Sequence, residues 1–105
     1  LAAAGTLEAD QIADLAPAVP HFLRTRRALV DDLRAAFGAG EREAARRIAH
    51  KLAGSFALYR FAWAAAESRT LQRDAADGEL PELVRRCKAL QRYLEQVKLR
   101  TGGQA

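Results

Sequence analysis

The chain has 105 residues, of which 50% are hydrophobic, with 17 Lys and Arg against 13 Asp and Glu for a net charge of +4. That is enough for one domain with one core, which excludes a second domain of ordinary size and wholesale disorder, and the charge falls short of a dedicated nucleic-acid binder. A single cysteine, Cys87, excludes an internal disulfide and a cysteine-rich metal site, and the least charged stretch, from Leu52 to Ala66 with Arg60 as its one charge, is too short and too rich in alanine to span a bilayer.

Thr6 can cap a short helix running to about Ala16, with Leu7, Ile12 and Leu15 as its apolar contacts; Pro17 and Pro20 end it and open the next. From about Val19 to Phe37, the residues Phe22, Leu29, Val30, Leu33 and Phe37 share one side of a helix that ends near Gly38 and Gly40. Glu41 and Glu43 suit the first turn of the next helix, on which Ala45, Ile48, Leu52 and Phe56 recur at helical spacing. After Tyr59 and Arg60, a further helix carries Phe61, Ala64, Ser68, Leu71 and Ala75 and stops at Asp77 and Gly78. The last helix, behind Pro81, carries Leu80, Leu83, Val84, Cys87, Leu90, Leu94 and Val97 and runs to about Arg100.

No stretch alternates with a period of two, so the expected fold is all-α. Four amphipathic helices with short connections bury their stripes most simply as an antiparallel, up-down-up-down four-helix bundle, with the short N-terminal helix over one end. Residues 1–105 then form one domain, with about 1–5 and 101–105 frayed. A soluble, cytoplasmic monomer without membrane contact is expected. A first residue other than Met suggests a segment of a longer chain.

One of only two histidines, His50, lies in the run RRIAHKLAGSF. At about 100° per residue, His50 points about 160° away from the middle of the sector formed by Ala45, Ile48, Leu52 and Phe56, so it faces water. Its neighbours on that side are Arg46, Arg47, Ala53, Gly54 and Ala57: cations on one flank and almost bare backbone on the other. Gly54 inside a helix costs about 1 kcal/mol relative to Ala, which calls for a packing reason or the close approach of a partner. A neutral imidazole offers one free ring nitrogen as a nucleophile, and Arg46, Arg47 and Lys51 favour an anionic group delivered to it. Such a site can accept a phosphoryl group, with the catalytic machinery coming from the partner.

The run AHKLAGSFALYRFAWAAAESRTLQ, from Ala49 to Gln72, resembles the signature of histidine-containing phosphotransfer (HPt) domains of bacterial phosphorelays. The likeness rests on Ala49-His50, Leu52, Gly54, Ser55, Phe61 and the segment Ser68 to Gln72, similar to the family's A-R-x-L-E, and the preceding helix continues it over most of the chain. It implies that His50 carries phosphate received from an aspartyl phosphate on one receiver domain and passed to another. The partners implied are receivers of a hybrid sensor kinase or of response regulators. The resemblance further implies that the receiver supplies Mg²⁺ and an acidic pocket, and that the domain itself binds no cofactor or metal and has no kinase or hydrolase activity. Such domains stand alone or belong to larger hybrid kinases, including membrane-anchored ones with this part in the cytoplasm. Two positions depart from the pattern. Ala53 stands where many members have Lys, with Lys51 rotated about 100° from His50, leaving Arg46 or Arg47 to supply the charge. Arg60 stands where a glycine is frequent, which leaves that turn's shape open and offers Arg60, with Ala53, Gly54 and Ala57, as partner-docking residues.

The other features read as structural. His21 opens a helix off its apolar stripe and has no ligand spacing to His50; Cys87 lies on a stripe, as a buried hydrophobe does; Trp63 is a core edge rather than a partner anchor. Two alternatives to phosphotransfer stand. One is a phosphate-independent interaction module that docks a partner helix on the small-residue patch around Gly54. The other is a basic nucleic-acid-binding bundle, disfavoured because the doublets Arg26-Arg27, Arg46-Arg47 and Arg85-Arg86 sit on three different helices.

Overall fold

A computed structural model of the chain describes the backbone of residues 19–102 and the side chains of residues 20–97. It contains the helices α1 (Val19–Gly38), α2 (Arg42–Leu58), α3 (Ala62–Asp74) and α4 (Leu80–Gly102), with no strand among the described residues. The short helix expected before Pro17 lies outside them, and α4 continues into the tail that was expected to fray from Thr101. Short connections force successive helices to run antiparallel. The helices form a ring in chain order, α1 against α2, α2 against α3, α3 against α4 and α4 back against α1. This is the up-down-up-down four-helix bundle. None of the described helices is long and apolar enough to cross a membrane.

The first two turns share one hydrogen-bond pattern. After α1, the Gly40 N–H donates to Phe37 O at 3.0 Å and the Glu41 N–H to Ala36 O at 2.8 Å, with Gly40 at φ 75°. After α2, the Arg60 N–H donates to Ala57 O at 3.1 Å and the Phe61 N–H to Phe56 O at 2.8 Å, with Arg60 at φ 67°. Both are Schellman closures, in which the residue beyond the helix adopts the left-handed conformation and the next N–H reaches back five residues. Arg60 therefore keeps the turn that a glycine would make, at a backbone cost of about 1–2 kcal/mol. Phe61, the following residue, is buried and packs edge-on against Phe56 at 6.2 Å between ring centroids, the apolar contact that accompanies such a closure.

The core runs through all four helices, from Phe37, Leu33 and Val30 on α1 to Leu83, Leu90 and Leu94 on α4. Around the end of the bundle where α1 starts and α2 stops, aromatic rings stack: Phe22 on Tyr59 at 4.0 Å and on Phe61 at 5.3 Å. Trp63 is half-buried and packs on Tyr93 at 5.0 Å, in keeping with a core-edge role. Cys87 is fully buried, and burial pushes its thiol up to about 12, so no thiolate forms near neutral pH.

The contact between α2 and α3 is the most extensive in the bundle, and both helices bury small residues: Ala45, Ala49 and Ala53 on α2, and Ala64, Ala65 and Ser68 on α3. Small side chains let two helix axes approach closely. This changes the rotation of α2 from that expected of its sequence. Its buried residues are Ala45, Ala49, Leu52, Ala53 and Phe56, while Ile48 is only half-buried.

Polar ties hold the remaining seams. The Arg86 guanidinium of α4 donates to Glu67 Oε2 at 3.0 Å, Thr70 Oγ1 at 2.6 Å and Asp74 Oδ2 at 3.0 Å, gripping three successive turns of α3. Arg42 at the start of α2 donates to the carbonyls of Ala75 and Gly78 at 3.1 and 2.8 Å, satisfying acceptors at the α3 terminus and in the turn that follows it. Between α1 and α4, Arg27 pairs with Glu95 at 3.0 Å, and Gln91 bridges Arg34 and Asp31.

Candidate functional site

His50 lies near the middle of α2, a helix favoured by its Ala, Arg and Leu content and by Glu43 in its first turn. Its side chain is exposed, as expected. The direction it takes is different. Because Ala49 and Ala53 turn inward, His50 stands about 115° from the centre of the buried sector rather than opposite it. It leans toward α3, where the Gln72 carboxamide nitrogen lies 3.2 Å from His50 Nδ1.

That contact governs the chemistry of the ring. The two ends of a carboxamide exchange by a half-turn, so Gln72 can either donate to a bare Nδ1 or accept from Nδ1–H. In the second arrangement the proton stays on Nδ1, and the outward nitrogen, Nε2, keeps its lone pair. Gln72 is absent from the site expected from the sequence, although it closes the SRTLQ segment. No helical periodicity links positions 50 and 72, and the antiparallel pairing of α2 with α3 is what brings them together.

The charged surroundings are partly neutralised. Arg46 grips the Glu43 carboxylate through Nε at 3.1 Å and Nη2 at 2.7 Å, and Arg47 reaches the same carboxylate at 3.4 Å. The hydrogen bond from Arg46, reinforced by both positive charges, holds the Glu43 carboxyl below its ordinary value. These are exposed pairs, which exchange readily for another anion. With Lys51, also exposed, three cations and one carboxylate surround the histidine's helix face. Arg46, Arg47, His50 and Lys51 also line a shallow groove floored by Leu29, Ala44 and Ile48, between α1 and α2.

The expected docking residues divide. Gly54 and Ala57 are exposed on the outer face of α2, and Arg60 is exposed at its end. A Cβ added to Gly54 would meet nothing within 4 Å, so none of the described residues requires a glycine there. Ala53 does not belong with them: at 6% exposure it is buried, and its methyl group is not offered to a partner. It sits one turn before Ala57 but on the inward edge of the helix, where the small-residue seam draws it in. His21 is exposed at the start of α1, apart from this constellation. Of the arginine doublets, five of the six members are engaged in ion pairs, Arg27 with Glu95, Arg46 and Arg47 with Glu43, Arg85 with Glu82, and Arg86 with Glu67 and Asp74, while Arg26 lies over the Phe22 ring at 5.5 Å. That pairing breaks up the uncompensated basic stripe that a nucleic-acid surface needs.

Comparison with curated proteins and with solved structures returned no match. The family model described as Hpt domain matches residues 18–100, all four helices but the last two residues of α4, and the chain therefore belongs to the histidine-containing phosphotransfer (HPt) domain family.

Proposed function

We propose that His50 is the phosphoacceptor of this domain, taking a phosphoryl group from the aspartyl phosphate of one receiver domain and passing it to the receiver of a response regulator. HPt domains serve histidine phosphotransfer in phosphorelays. The observation that carries the assignment to His50 is its exposed ring, held through Nδ1 by Gln72 beside an unobstructed stretch of helix at Gly54. With the proton on Nδ1, the Nε2 lone pair attacks phosphorus in line. The P–N bond forms as the P–O bond to the aspartate breaks, and the carboxylate leaves with the electron pair. The positive charge that develops on the ring rests against the Gln72 carbonyl oxygen, and Arg46, Arg47 and Lys51 offset the charge of the phosphoryl group. Mg²⁺ and the acidic pocket belong to the receiver, so the metal is supplied by the partner. Transfer back to a second aspartate reverses the same steps.

The test is incubation with a phosphorylated receiver and Mg²⁺, followed by measurement of acid-labile, base-stable phosphate in the wild type and in His50→Gln. Label that persists in the variant places the acceptor elsewhere. Receiver binding without any transfer would favour the phosphate-independent interaction module.

A further inference from the structure

We infer that Leu58 is the apolar anchor with which this domain recognises its receiver, an inference that rests on the relay reading of His50. Among the described residues it is the one large apolar side chain left in water, at 78% exposure. A single exposed leucine is ordinary on a protein surface; what singles this one out is its place. It lies eight residues beyond His50 on the same helix, about 12 Å along the axis. At about 100° per residue, His50 and Leu58 stand about 40° to either side of the direction of Gly54. The surface between them is low, because Gly54 has open space above it and Ala57 carries only a methyl group.

A transfer partner must bring its phosphorylated aspartate onto His50, so its footprint includes that point. A stable interface covers about 800 Å² per partner, a disc of about 16 Å radius. A footprint centred on Gly54 therefore covers His50 and Leu58 together. The cations Arg47 and Lys51 and the apolar floor of Leu29, Ala44 and Ile48 continue the same face toward α1. The partner that fits is a receiver whose acidic pocket meets His50 and its cations, with an apolar patch about 12 Å away to cover Leu58. Leu58 then sets which receivers bind, while His50 and Gln72 set the chemistry.

The probe is the Mg²⁺-loaded, aspartyl-phosphorylated receiver that, within a panel of purified receivers, exchanges phosphate fastest with the wild-type chain. Because Leu58 touches little of the core, Leu58→Asn should leave the thermal midpoint unchanged. It should raise the receiver Kd, and the half-saturation concentration for transfer, by about ten- to a hundred-fold, the value of one buried leucine. The single-turnover rate at saturating receiver should stay at the wild-type level, and Leu58→Met should recover most of the affinity. Unchanged half-saturation in Leu58→Asn overturns the inference, as does a loss confined to the saturated rate. A wild-type dimer that Leu58→Asn dissociates with transfer intact overturns it too, by assigning the leucine to self-association. A wild-type chain that exchanges phosphate with no receiver defeats the relay reading beneath it, an outcome distinct from the other three.

Discussion

Gly54 is where the stability of the free domain and the demands of a partner should pull in opposite directions. The residue lies inside α2, has an ordinary negative φ, and would place an added Cβ in open space. Gly54→Ala therefore gains the full difference in helix propensity, about 0.8–1 kcal/mol, with no steric penalty to set against it. For a domain of this size that corresponds to a rise of about 4–8 °C in Tm. Gly54→Gln should gain most of the same amount, since glutamine is nearly as good a helix former as alanine. Transfer should respond with the opposite sign. The larger side chain stands between His50 and Leu58, where the partner's surface must settle, and in-line attack requires the ring nitrogen within about 3–3.5 Å of phosphorus. A displacement of only about 1 Å can cost a hundred-fold in rate. Thermal and urea unfolding followed by circular dichroism, with rapid-quench transfer from a phosphorylated receiver, measure the two effects separately. A loss of stability in Gly54→Ala would refute the claim of open space, and wild-type transfer by Gly54→Gln would remove Gly54 from the docking footprint.

Three further outcomes are expected. Gln72→Ala frees His50 Nδ1, so transfer should slow by about ten-fold or more through lost ring orientation while stability changes little; nitrogen NMR of the imidazole should show the tautomer ratio shift, and an unchanged ratio would dismiss Gln72 as a positioning residue. Ser68 is fully buried and its hydroxyl has no hydrogen-bond partner among the described residues, so Ser68→Ala should raise stability by about 1 kcal/mol in urea denaturation, and a loss would point to a bond that the alanine removes. Hydrogen bonds from Arg73 and Arg86 hold the Asp74 carboxyl below its ordinary value. Its contribution to stability is therefore complete above the unfolded value of about 3.9 and is lost as pH falls through the lower folded value. Arg86→Met, which leaves the Arg73 hydrogen bond in place, should lower stability at neutral pH and partly flatten the acid limb of the stability profile, and an acid limb as steep as in the wild type would exclude the Arg86–Asp74 bond as its source.

The number, order and approximate limits of the four described helices are legible in the sequence because helix periodicity, prolines and glycines are local signals. The same signals place His50 on the outside of its helix and Cys87 on the inside. The rotation of α2 is not legible in this way. A wheel weighted by hydrophobicity chooses Ile48 over Ala49 and Ala53, whereas close packing against the alanines and serine of α3 draws the small residues in and leaves Ile48 half-buried. That rotation brings His50 to Gln72 and removes Ala53 from the docking face. The turn at Arg60 is another case: the residue type argues against a left-handed conformation, and the flanking helices impose it through the Phe61 N–H and the burial of the Phe61 ring.

By itself, then, the sequence determined an all-helical chain with an outward histidine, since both follow from the angle between residues on a single helix. Only the tertiary structure decided what stands beside that histidine, which arginine ties α4 to α3, and which leucine stays in water. Those depend on the register and rotation between helices, set by the packing of the bundle as a whole.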